Sequence, residues 1–122
     1  MNVVTVIARI LLGLIFIAAG ASAFVFTTPP PLPGLAGTFN TAFVQSHWSM
    51  FVGAAQFAAG ALLVANRFIT IALIILAAFL YNSLAFHLTM MPAGLPAASI
   101  VLVLWAFLSW RNRDRFAPLA RI

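Results

Sequence analysis

Charge is the first thing this sequence lacks. No Asp, Glu, Lys or Arg occurs between Arg9 and Arg67, and none between Arg67 and Arg111. A water-soluble domain covers its surface with charge; here seven charged residues serve 122, and 65% of the chain is hydrophobic. Lipid is therefore the solvent for most of it, and the length fits one small domain. Cysteine is also absent. That excludes disulfides, dithiol redox chemistry, iron–sulfur clusters and thiolate metal sites. Asp114 is the single acid, and every basic residue is an arginine. With no carboxylate or ammonium inside an apolar segment, a proton relay or ion-driven carrier has no residues to run on. No nucleophile–base–acid set and no phosphate loop occurs, so no catalytic residue is assigned.

What is present is four apolar segments. The first spans 3–26, roughly 35 Å as a helix and long enough to cross a bilayer. Its Arg9, Ile10–Ala19 run and Ala21-Ser22-Ala23 resemble a signal peptide with its cleavage site; we read the segment as a retained membrane anchor. The run Thr27-Thr28-Pro29-Pro30-Pro31-Leu32-Pro33-Gly34 stops it, because proline lacks a donor and restricts the residue before it. The loop 27–46 is predicted to carry an interfacial helical stretch from near Thr38, with Phe39, Phe43 and Trp48, running into the second span at 47–65. Asn66 and Arg67 make a tight turn. The third span covers 68–89. Met91–Pro96 turns the chain again, with Pro96 suited to a first helical position. The fourth span, 96–111, leads into an Arg-rich tail, 111–122.

Arginine sets the orientation. Arg9, Arg67, Arg111, Arg113, Arg115 and Arg121 fall on one side of a four-span chain, and both proline-containing connections fall on the other. The positive-inside rule then predicts an all-α membrane protein, an antiparallel four-helix transmembrane bundle with both termini cytoplasmic. Four of the six arginines lie in the last twelve residues, which reads as juxtamembrane anchoring and not as a nucleic-acid patch. Trp48 and Trp110 sit where interfacial aromatics belong, one at each face.

Small residues recur. Gly13–Ala21 and Gly53–Ala61 share a Gly followed by Ala-Ala-Gly-Ala at matching positions. A duplicated hairpin is one reading. Close helix packing, where missing side chains let backbones approach, is the one we favour.

Polar residues inside the spans mark candidate sites. Gln56 follows Trp48 by eight residues and Asn82 precedes Thr89 by seven. Both then lie about 10–12 Å below the outer face. They could share an interhelical amide bond, worth about 1 kcal/mol, or floor an outward-facing pocket. The two histidines each open an H-x-x-M, His47 to Met50 and His87 to Met90. A histidine and an amide can hydrogen-bond the two carbonyls of a quinone; paired imidazoles and thioethers can hold copper or haem. Arg9, alone in its span, is expected to snorkel to the inner headgroups.

Arg9–Phe16 with Ala19-Gly20, the small-residue run before Leu62-Leu63 and Asn66-Arg67, and Asn82 with Phe86-His87 resemble DoxX-like membrane proteins. The resemblance extends along nearly the whole chain. It implies a four-helix domain in a bacterial cytoplasmic (inner) membrane. Through the DoxD/DoxA thiosulfate:quinone oxidoreductase branch and relatives such as methylamine-utilisation MauE, it implies a link to quinone or thiol redox chemistry. Cysteine is missing for the thiol part. Three functions follow. The first is a quinone or similar apolar ligand held by His47, Gln56, Asn82 and His87, with Phe43, Phe51, Phe86 and Met50 as walls, in an accessory to a redox system. The second is a non-catalytic structural subunit of a membrane complex. The third, ranked last, is copper or haem on the two H-x-x-M motifs. Expected partners are membrane lipids, a quinone, and a partner membrane subunit or further copies of the chain; no nucleic acid is expected.

Overall fold

The computed structural model describes residues 2–29 and 31–121, the side chains of residues 120–121 excepted. Pro30 of the predicted stop, Ile122 of the predicted tail and the Arg121 side chain fall outside that description. Helix α1 runs Val3–Val25, α2 Gly34–Gln45, α3 Trp48–Ala65, α4 Ile69–Thr89, α5 Leu95–Arg111 and α6 Arg113–Phe116. Single 3₁₀ segments, Pro92–Gly94 and Ala117–Arg121, flank the last two. Among the described residues all regular structure is helical. Four stretches, Val3–Val25, Trp48–Ala65, Ile69–Thr89 and Pro92–Arg111, are long and apolar enough to cross a membrane.

Local signals explain the ends. The Asn2 side chain accepts the Val4 amide at 2.8 Å and caps α1, meeting a donor that the first helical turn leaves unpaired. Asn66 takes the left-handed conformation that closes α3, with the Arg67 amide bonded to Leu62 O at 3.0 Å; asparagine tolerates that conformation better than most residues. Pro96 sits in the first turn of α5, where no intrahelical donor is required.

The long helices form a closed ring: α1 packs on α3 and α5, and α4 on α3 and α5. Leu12, Phe16, Leu63, Leu73, Leu76 and Leu108 fill its centre. Phe16 meets Phe79 edge to face with centroids 5.5 Å apart. The Trp105 indole donates to Leu73 O at 2.9 Å, placing the later half of α5 beside the early half of α4. Burial from water does not drive helices together inside lipid, where a leucine is as well solvated by acyl chains as by protein. Close van der Waals contact and hydrogen bonds must do it.

The repeated glycines supply that contact. Gly13 lies against Gly60, and Gly20 against Gly53, so α1 and α3 run in opposite directions with their glycine faces together. A Cβ on Gly60 would stand 2.6 Å from Gly13 O, and one on Gly13 would stand 2.8 Å from Gly60 O. The two similar stretches of sequence are thus the two sides of one contact, which is the close-packing reading.

Three expectations change. Arg9 does not snorkel: it is only 9% exposed, and its Nη1 donates to Leu63 O and Val64 O, the latter at 3.1 Å. Apart from Arg9, Leu63 O accepts only the cap Asn66 amide, at 3.2 Å, and the carbonyls at this end carry the negative end of the α3 dipole, so a guanidinium fits there. The stretch predicted to run from Thr38 into the second span is a separate helix starting at Gly34. It is cut from α3 by a turn at Ser46–His47, where His47 has φ 66°. The fourth span begins earlier than residue 96, at Pro92, because a 3₁₀ turn extends it. The tail also has structure: Phe116 packs back on the core.

Candidate functional site

A cavity of about 330 Å³ lies between the ends of α1 and α2 and the beginning of α3. Ala19, Ser22, Ala23 and Phe26 of α1 form one side, and Asn40, Phe43 and Val44 of α2 form the cover. Ser49, Val52 and Gln56 of α3 form the other side; Phe79 of α4 and Thr28 of the connecting segment complete it. Its size is at the lower end of small-molecule pockets, which run from roughly 300 to 1,000 Å³.

Its chemistry is neutral. No charged side chain lines it. Gln56 and Ser49 are each only 8% exposed. Neither side chain hydrogen-bonds another described residue, and both open onto the cavity. The Ser22 hydroxyl is committed to Ala19 O at 2.6 Å. An unpaired amide in an apolar bundle is costly, and Gln56 and Ser49 together offer three donor hydrogens and two acceptor oxygens to whatever fills the cavity. Phe26, Phe43 and Phe79 provide aromatic faces and edges beside those groups.

Gln56 occupies this position because of α3's buried face. Ser49, Gly53, Gln56, Gly60 and Leu63 recur at four- and three-residue steps and are all buried. Gly53 brings α1 close on one side of Gln56 and Gly60 does so on the other.

The other three residues proposed from sequence lie elsewhere. Asn82 is exposed on α4, and its Nδ2 donates to Ala78 O of its own helix at 2.9 Å. Helical rotation explains this. Leu73, Leu76 and Leu80 centre the inward face of α4, and Asn82, six residues past Leu76 and two past Leu80, lies roughly 120–160° round the helix from those two. His87 is half-buried and its Nδ1 faces Met91 O at 3.2 Å. Its ring occupies the space where a Gly94 side chain would be, so it braces the turn between α4 and α5. His47 is exposed in the turn between α2 and α3. Equal depth along neighbouring helices did not translate into a shared direction.

The proposed walls divide in the same way. Phe43 lines the cavity, whereas Phe51 is exposed. Phe86 joins Phe39, Phe43 and Trp48 in an aromatic cluster, with Phe39 5.3 Å from Phe86 and Phe43 5.2 Å from Trp48. That cluster ties α2 to α3 and α4. Among the described residues no three His, Asp or Glu side chains gather into a metal site, and the two H-x-x-M histidines serve separate turns.

Sequence reasoning missed Ser49, Asn40 and Phe79. Ser49 was legible: it lies seven residues before Gln56, nearly the same angle on the helix. Asn40 was not, since the direction of α2 depends on a proline-rich connection with no periodic pattern. No family profile, curated protein or solved structure matches this chain.

Proposed function

We propose that this chain is an integral membrane protein that holds a neutral, largely apolar ligand with a quinone-like head in the cavity beneath α2, serving a redox system as an accessory. The observation that carries the reading is the Gln56 amide, buried, unpaired among the described residues and facing a cavity lined by aromatic rings. Amide N–H groups and the Ser49 hydroxyl can donate to ring carbonyls. Phenylalanine side chains favour a flat ring. The absence of charge from the lining favours a neutral ligand over an ion. The DoxX-like resemblance supports the choice of a quinone. No lining residue transfers electrons, so a partner would supply or accept them.

The test is titration of the detergent-purified protein with a short-chain benzoquinone, alongside mass spectrometry of small molecules extracted from it. Gln56→Leu is expected to weaken binding up to about tenfold, the equivalent of one hydrogen bond of about 1.4 kcal/mol. Ser49→Ala should weaken it less, with both variants melting near wild type. Failure of the wild type to bind, or unchanged binding in both variants, would leave the structural-subunit reading in its place.

The bundle is proposed to sit in a bacterial inner membrane with both termini cytoplasmic. Arg9 lies beside the end of α3, next to the turn that holds Arg67, and the Trp105–Leu73 bond brings the end of α5 to the same end of the bundle. Arg9, Arg67 and Arg111 thus lie toward one end of the bundle, which supports an orientation by the positive-inside rule. The chain has no native cysteine, so Thr28→Cys provides a single label. Impermeant maleimide added outside intact spheroplasts should modify it; labelling only in inverted vesicles would reverse the topology.

A further inference from the structure

We infer that the seam between the start of α4 and the end of α5 holds the headgroup of an anionic phospholipid, with Arg67 and Arg111 on its phosphate. A short turn joins α4 to α5, and the Trp105 indole bonds Leu73 O across them, so the two helices run antiparallel. Four residues further toward the arginine end, Ile69 and Ser109 stand at one level. Arg67 and Arg111 lie two residues beyond these, at the same end of the seam.

Both arginines are exposed. Of the arginine side chains described, those that hydrogen-bond the protein are Arg9 and Arg113. The carbonyl end of α3, just before Arg67, is already taken by Arg9. Arg113 donates to Trp110 O at 2.9 Å and lies over the Trp110 ring, 4.2 Å from its centroid. Arg67 and Arg111 are left to whatever lies outside the protein.

Charge and depth select the occupant. Asp114 is the only acidic side chain against six arginines, so the counter-charge must come from elsewhere. Arg67 and Arg111 mark the ends of helices long and apolar enough to cross a membrane, which is the level of the headgroup phosphates. Phe68 and Trp110, their neighbours in sequence, are exposed, and aromatic rings suit that boundary. Ile71 on α4 and Val103 on α5, also exposed, carry apolar surface onward for acyl chains. The guanidinium fork matches phosphate oxygens, and two forks at one level can take one phosphate from two sides. The cavity lies at the other end of the bundle, so this inference does not rest on the ligand reading.

Native mass spectrometry of the detergent-purified protein tests it, with phosphatidylglycerol and zwitterionic phosphatidylethanolamine titrated in turn. One phosphatidylglycerol should stay bound under activation that strips phosphatidylethanolamine. An arginine near an anionic surface contributes about fivefold in affinity. Arg67→Gln with Arg111→Gln should therefore cut retention about 25-fold. Arg113→Gln with Arg115→Gln removes the same charge away from the seam and should cut it less. Thermal melting in lipid-free detergent will check that these exposed substitutions leave the bundle folded. Equal retention of the two lipids by wild type would overturn the inference whatever the variants do. So would equal losses in the two double variants, which mean diffuse charge and no site. Inorganic phosphate that displaces the lipid and stays bound in its place would show a site for a free anion, and would overturn it too.

Discussion

Leucine at Gly20 or Gly53 is expected to separate α1 from α3 and to cost the bundle about 3 kcal/mol or more, at the upper end of what overpacking a tight contact costs. A side chain on Gly20 would run into Gly53 O and the Phe57 backbone. One on Gly53 would stand 2.9 Å from Gly20 O and closer still to the Ala23 side chain. Backbone cannot rotate aside as a lysine or methionine can, so the helices themselves must part. Thermal unfolding in detergent should show both variants melting far below wild type. Ala18→Leu, on the exposed side of the same helix, should melt with it. If the glycine variants melt with wild type, the α1–α3 contact is not what holds the bundle.

The second large effect is at Arg9. Removing its guanidinium in Arg9→Leu leaves Leu63 O and Val64 O without that donor. Hydrogen bonds from a charged group contribute about 1.5–3 kcal/mol, and the charge also offsets the negative end of the α3 dipole. A loss of that size is expected. Arg9→Lys should recover only part of it, because an ammonium is more strongly hydrated than a guanidinium and is costlier to hold buried at this site. A snorkelling side chain would behave differently: lysine would match arginine, and leucine would cost little. Melting temperatures of the three proteins separate the two cases, and full rescue by lysine would restore the headgroup reading.

Both variants act where reading the sequence reached different depths. The glycine spacing on α1 and α3 was legible, because two stretches with Gly at the first and eighth positions invite close packing whatever their partners. Their mutual register was not legible: nothing in either stretch says that Gly13 meets Gly60 and not another helix. Arg9 was misread for a related reason. A lone arginine near a helix end can reach headgroups or carbonyls, and the choice depends on whether another helix ends beside it.

The candidate site divides along the same line. Gln56 was recognisable as a polar residue within an apolar segment, and its place on the glycine face of α3 was implicit in steps of three and four. Asn82 has equal depth and similar chemistry, yet it points outward. Depth follows from counting residues along one axis. Direction depends on how each helix is rotated in the ring, and α4 is apolar on nearly every side, so its own pattern does not specify which side turns in.

By itself the sequence determined that the chain is helical, that four segments are long and apolar enough to span a membrane, and nearly where each begins and ends. Charge-free runs, prolines and capping residues act locally, over a few residues, and can be read one segment at a time. Only the tertiary structure decided that Arg9 caps α3, that α2 covers a cavity, that Gln56 faces it while Asn82 does not, and that His87 braces a turn. Each of those depends on the rotation and register of one helix against another. In lipid those are set by backbone approach and side-chain fit, to which an unbroken apolar sequence contributes no direction of its own.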